Sequence, residues 1–134
     1  MSKKSAGILL YRVQENLFQF FLVHPGGPFW KNKDLGAWSI PKGEFNYEDP
    51  LAAAKREFEE ETGMELPEKL LALTPLKQKS GKLIFAWAAL SNKGPEEIHS
   101  NLFELEWPPH SGKKQIFPEI DKAGWFDLMC IVLK

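Results

Sequence analysis

Residues 43–64 read GEFNYEDPLAAAKREFEEETGM, and the fold turns on how this stretch is read. Gly43 opens a loop. Pro50 suits the first helical position, where a missing N–H costs nothing. Gly63 suits the residue just past the end, where the chain turns left-handed. The residues between are mostly Ala, Leu, Lys, Arg and Glu, all good helix formers. A helix is therefore predicted from Pro50 to near Gly63.

On a wheel of about 100° per residue, Leu51, Ala54, Phe58 and Thr62 share the side expected to face the core. Glu57, Glu60 and Glu61 converge beside it, because residues three and four apart are neighbours on a helix. Glu59 falls on the solvent side with Lys55. Three convergent carboxylates form either a solvated acidic face or a site for a hard divalent cation, which takes oxygen ligands. The helix alone leaves both readings open.

Glu48, Arg56, Glu57, Phe58, Glu60, Glu61, Gly63 and Met64 match, in type and spacing, the pattern G-x5-E-x7-R-E-U-x-E-E-x-G-U, with U a bulky apolar residue. The stretch thus resembles the box of the Nudix superfamily. The front departs from the pattern: four residues rather than five separate Gly43 from Glu48, which we read as a deletion within the turn at 45–47. The lead-in Trp38-Ser39-Ile40-Pro41-Lys42-Gly43 is also common before that box. The resemblance covers most of the chain and is strongest over residues 37–64.

The resemblance implies an α/β (α+β) Nudix fold, with a mixed β-sheet sandwiched between the box helix and a C-terminal helix. It implies a pyrophosphohydrolase that cleaves a nucleoside diphosphate linked to a moiety X. Mg²⁺ or Mn²⁺ would be held by Glu57, Glu60, Glu61 and the Gly43 carbonyl. Arg56 and Glu48 match a pair that in relatives orients the box helix by a salt bridge. Glu119, six residues before Trp125, matches a carboxylate that joins the site or acts as base; Glu57 is the other candidate base, and Glu104 and Glu106 are alternatives to Glu119. The opening strands and the W-x-x-PKG lead-in look like those of small diadenosine tetraphosphate hydrolases. A dinucleoside polyphosphate is therefore the first substrate expectation. A nucleoside triphosphate, a capped or triphosphorylated RNA end and a diphosphoinositol are alternatives. A non-catalytic nucleotide-binding module is the reading from another class.

With 134 residues, one domain spanning 1–134 is expected, large enough for a real core. The content is ordinary for a globular protein: 43% hydrophobic and 26% charged. A net charge of −1 supplies no basic field for long nucleic acid or a membrane surface. No apolar run reaches the length of a membrane span, and no secretory leader is expected. The single cysteine, Cys130, reads as packing, and a reducing, cytoplasmic setting fits it. The expected partner is a small nucleotide, bound by a monomer or homodimer.

Along the chain, strands are predicted at Ala6–Val13 and Leu17–Val23, joined by a turn at Gln14–Asn16. Further strands are predicted at Ala37–Ile40, Leu70–Lys79, Leu83–Leu90 and Asn101–Trp107, with a closing aromatic segment over Phe117–Phe126. A final helix would begin near Asp127. The loop 24–36 is long for a compact domain, and such loops are often functional. In it, Phe29 and Trp30 stand beside Lys31 and Lys33, a pattern that suits either a stacked nucleobase near its phosphates or a loop pinned by its own aromatics. Lys42, next to the acidic cluster, is a candidate phosphate contact. Arg12, Lys113 and Lys114 are either phosphate contacts or solvated surface, and His24 is either a phosphate donor or a structural strand-end histidine.

Overall fold

The computed structural model describes residues 3–34, 37–91 and 100–127. Cys130 and the expected final helix lie outside them. Among the described residues the elements follow in the order β1 Lys4–Gln14, β2 Leu17–Pro25, β3 Lys42–Phe45, α1 Pro50–Thr62, β4 Leu71–Ala72, β5 Leu76–Lys77, β6 Leu83–Leu90, β7 Leu102–Glu106, β8 Lys114–Pro118 and β9 Ile120–Phe126. The first two strands are joined by Glu15 and Asn16, both with positive φ (51° and 65°), as a two-residue hairpin turn requires.

A seven-stranded mixed sheet runs β4-β6-β1-β2-β9, with β3 added to β1 and β5 to β6. Strands β1 and β6 are parallel along Lys4–Tyr11; the other pairings in the sheet are antiparallel. Strands β7 and β8 form a separate hairpin.

The feature that makes room for a site is a fork beside β1. Strand β2 pairs with Tyr11–Gln14, whereas β3 pairs with Lys4–Gly7. Into the gap runs the segment before β3: the Ile8 N–H donates to the Pro41 carbonyl (3.1 Å), and Ser39 exchanges backbone hydrogen bonds with Val23 (2.8 and 3.0 Å). This corrects the strand expected at Ala37–Ile40. Lodged across the fork and followed by Pro41, which has no N–H to give, the segment makes only a single bridge.

Helix α1 lies on one face of the sheet. Ala53, Ala54 and Phe58 are buried in one cluster with Ala6, Ile8 and Leu10 of β1, Phe21 and Val23 of β2, Phe45 and Ala89. Alternate residues of β1 therefore turn toward the helix. Ala53 rather than Leu51 shares the buried stripe with Ala54, Phe58 and Thr62, so the stripe sits slightly rotated from the predicted one. Glu59 and Lys55 are exposed as expected.

The expected strand over Leu70–Lys79 is broken into β4 and β5, both paired to β6. Pro75 falls between them and cannot donate to the ladder. Strand β8 was not predicted. It lies in an exposed hairpin, where no core imposes an apolar alternation. Among the described residues no helix is long and apolar enough to cross a membrane.

Both helix ends are capped, and Pro50 and Gly63 stand where the sequence sets them. The Asp49 carboxylate accepts from the Ala52 N–H (3.2 Å), Pro50 occupies the first turn, and Gly63 closes the far end with φ 67° and its N–H on the Glu59 carbonyl. Asp49→Ala removes the N-cap and should cost about 1 kcal/mol. Thermal melts should show this as a fall of about 4 °C; an unchanged melting temperature would mean that packing alone fixes the helix start.

Candidate active site

The carboxylates of α1 gather where the helix passes β3. The Glu57 carboxyl lies directly against the α-carbon of Gly43, in space that a Cβ would fill. Only glycine permits that approach. Beside it, the Arg56 guanidinium gathers three carboxylates. Its Nε and Nη2 donate to Glu48 (2.9 and 2.6 Å), and its Nη1 donates to Glu57 (2.8 Å) and Glu60 (3.2 Å). The rigid fork of arginine suits this shared grip better than a lysine point charge.

Glu119 is brought to the same place by backbone hydrogen bonds. The Asn101 N–H caps the Glu60 carbonyl near the end of α1 (2.9 Å), the Glu119 N–H donates to the Asn101 carbonyl (2.8 Å), and the Gly26 N–H donates to the Glu119 carbonyl (2.8 Å). Asn101 went unnoticed in the sequence because its part is played by main-chain atoms, which carry no residue signature.

The electrostatics follow from this crowding. Burial first, then Glu57 and Glu119, pushes the Glu61 carboxyl up to about 8, against the backbone N–H and ammonium of Lys42. Its Oε2 is buried without a hydrogen-bond partner. Burial also raises Glu57, opposed by its bond to Arg56, and raises Glu119, helped by Glu57 and Glu60. The hydrogen bond from Arg56 holds the exposed Glu48 low. Lys42 is lowered by burial and then by Lys82, while Glu61 and Glu44 pull it back up.

The donor set is all oxygen, and one buried oxygen lacks a partner, so the residues fit a hard divalent cation. Among the described residues, however, no three His, Cys, Asp or Glu side chains are already gathered tightly enough to hold one. Glu57 and Glu60 are turned toward Arg56 instead.

The other candidates are dispersed. Arg12 donates to Gln19 (2.7 Å) and lies 4.5 Å from the centroid of the Trp125 ring, whose buried Nε1 has no partner. It stands six residues along β1 from Ala6, the residue paired with Gly43, or about 20 Å at roughly 3.3 Å per residue. Trp30 is partly exposed, with the Lys33 ammonium 5.2 Å from its ring centroid. Lys113 is exposed at the start of the β8 arm, and Lys114 pairs loosely with Glu104 (3.6 Å). His24 is structural. It is buried, its Nε2 donates to the Lys33 carbonyl (2.6 Å), and its Nδ1 meets Asp121 Oδ1 at 2.7 Å. Both ring nitrogens are thus spent tying the 26–34 loop to β9.

A family model described as the NUDIX domain matches residues 1–133. Among solved structures, the chain is similar to a binary complex of the Ap4A hydrolase of C. elegans (23% identity, TM-score 0.59, 98% of this chain and 85% of that one). It is also similar to the NUDIX domain of Shewanella oneidensis NrtR complexed with ADP ribose (15% identity, TM-score 0.61, 98% and 77%). A third is the C-terminal domain of mouse MUTYH in complex with human PCNA (14% identity, TM-score 0.57, 96% and 75%). A comparison with curated proteins gave no match. The chain belongs to the NUDIX family, and its class is that of the pyrophosphohydrolases.

The raised Glu61 carboxyl predicts a specific pH dependence. The folded protein keeps this proton up to about pH 8, whereas the unfolded chain releases it near 4.5. Stability should therefore fall as pH rises through that window. In chelator, the wild type should melt several degrees lower at about pH 8 than at about pH 5.5. Glu61→Gln should flatten much of that fall and melt above the wild type at the higher pH. Parallel curves for the two proteins would remove Glu61 as the cause.

Proposed function

We propose that the chain hydrolyses a pyrophosphate bond in a nucleoside diphosphate linked to a moiety X, foremost a dinucleoside polyphosphate. Mg²⁺ or Mn²⁺ would be held by Glu57, Glu60, Glu61 and the Gly43 carbonyl. The observation that carries this reading is the crowding of desolvated carboxylates around the unpartnered Oε2 of Glu61. When bound, a divalent cation neutralises phosphate charge and makes water a stronger nucleophile.

The chain's own residues supply the rest. Glu119 is the better-placed base: burial raises its proton affinity, and its carboxylate makes no hydrogen bond among the described residues. It takes the proton of the attacking water as the P–O bond of the anhydride breaks, and a raised carboxyl is suited to that step near neutral pH. Glu57 is the alternative, but Arg56 already engages it. Arg56 and Glu48 act as positioning residues that fix the helix start against the cluster. Lys42 stands beside Glu61 as a contact for a substrate phosphate. Lys31, Lys33, Lys113 and Lys114 add cations for a long polyphosphate. The similarity to a fold named Ap4A hydrolase agrees with this choice of substrate. A nucleoside triphosphate or another such diphosphate would use the same site.

One observation favours a second reading. Because Arg56 holds Glu57 and Glu60, a nucleotide-binding module without catalysis would show this same arrangement.

Product release should be measured with Mg²⁺ or Mn²⁺ on diadenosine tetraphosphate, nucleoside triphosphates, ADP-ribose and a capped dinucleotide. The wild type should cleave one class. Glu57→Gln, which removes one of the carboxylates that would hold the cation, should lose at least about 100-fold in turnover, as much as losing a positioned acid–base group, and remain folded. Glu59→Gln, on the solvent side, should be nearly silent. Near-normal turnover in Glu57→Gln contradicts the assignment, and binding without any cleavage favours the module.

A further inference from the structure

The chain changes sheets at Glu119. Strand β8 ends at Pro118 in the two-stranded hairpin, and β9 begins at Ile120 in the seven-stranded sheet, so a single residue joins them. Glu119 therefore belongs to neither ladder. Where its carboxylate points depends on what else takes up the main-chain donors and acceptors around it.

Three hydrogen bonds do this. The Glu119 carbonyl accepts from the Gly26 N–H (2.8 Å), and the Glu119 N–H donates to the Asn101 carbonyl (2.8 Å). The Ile120 N–H donates to the Ser100 hydroxyl (2.9 Å). That hydroxyl donates in turn to the Asn101 carbonyl (2.8 Å), which thus accepts from both Ser100 and Glu119. Ser100 and Asn101 together clip Glu119 and Ile120, and the Asn101 N–H fastens the clip to α1 at the Glu60 carbonyl (2.9 Å).

Of these contacts only those of Ser100 are made by a side chain. The place calls for a group that accepts from an N–H and donates to a carbonyl at once, which a hydroxyl does. Alanine would do neither, and a carboxylate would face the Asn101 carbonyl with a second bare acceptor. Ile120 is buried, so without Ser100 its N–H would be left poorly solvated. We infer that Ser100 is a positioning residue: its hydroxyl fixes the main chain at 119–120 to the segment that caps α1, and so aims the Glu119 carboxylate at Glu57 and Glu60. The inference rests on the reading of Glu119 as the base for its consequence in turnover, but the grip is measured without turnover.

Ser100→Ala and Ser100→Thr are made in the full chain, and amide exchange is followed by NMR in chelator. In Ser100→Ala the Ile120 N–H should exchange about tenfold faster, the factor that one hydrogen bond is worth, and the Glu119 N–H should follow it. The Val23 N–H, bonded to Ser39 in the body of the sheet, should keep its protection. Ser100→Thr keeps the hydroxyl and should exchange like the wild type. Turnover is then measured with Mg²⁺ on whichever of the four panel substrates the wild type cleaves. Ser100→Ala should lose about tenfold in kcat with KM within about twofold, because a misaimed base spoils the chemical step rather than binding. Ser100→Thr should recover most of that loss. In a Glu119→Gln background, Ser100→Ala should cost nothing further, since residues that act as a unit are not additive. The inference is overturned if Ile120 keeps its protection in Ser100→Ala, or if kcat is unchanged or falls by the same factor in the Glu119→Gln background. Faster exchange at both amides in a protein that cleaves nothing would uphold the grip on Glu119 and defeat the hydrolase reading; cleavage by Ser100→Ala at the wild-type rate would do the reverse.

Discussion

A single guanidinium holds the candidate site together. Arg56 reaches Glu48, Glu57 and Glu60 at once, and without it these carboxylates would repel one another across the start and middle of α1. The side chains of Arg56 and Glu48 are 38% and 40% exposed, so their pairing adds little to net stability. Its effect is geometric: the start of the helix and its inner carboxylates are set relative to one another. Glu61 lies outside that grip. It is left with an unpartnered buried oxygen and a carboxyl raised to about 8. The charge balance is thus satisfied on the Arg56 side and deficient on the Glu61 side, where a cation would act.

The fork in the sheet makes this arrangement possible. Because β2 and β3 use different halves of β1, the Trp38–Lys42 segment is driven between them and delivers Lys42 and Gly43 beside the helix. The small side chains of Ala53 and Ala54 let α1 lie close on β1, and the absence of a side chain at Gly43 lets Glu57 come closer still. Backbone bonds through Asn101 then carry Glu119 in from the far strand. The candidate site is therefore a meeting of four chain segments, brought together by packing and main-chain hydrogen bonds, within which Arg56 sets the carboxylates relative to one another.

Much of this was legible in the sequence, because the helix declares itself locally. Pro50, Gly63 and the periodic apolar residues depend on no distant partner, and they place Glu57, Glu60 and Glu61 on one side with Glu59 on the other. Glu119 was nominated through the resemblance of the closing segment, and the structure brings it beside Glu57 and Glu60. What could not be read depends on tertiary partners. Arg12 has the charge of a phosphate contact, but only the fold shows it beside Gln19 and Trp125, at the opposite end of β1. His24 needed Asp121 and Lys33 to show that it is structural. Strand β8 carries no core-facing alternation.

The central claim is that the carboxylate cluster is short of positive charge and accepts a divalent cation. The direct test is the melting temperature at about pH 8 in chelator against that in excess Mg²⁺ or Mn²⁺, for the wild type and Glu61→Gln. A ligand that binds only the folded state stabilises it by mass action, by about 2.7 kcal/mol at a hundred times its dissociation constant. The account predicts a rise of several degrees in the wild type and a much smaller one in the variant. Identical melting with and without cation, in a wild-type protein shown to be folded, would contradict it.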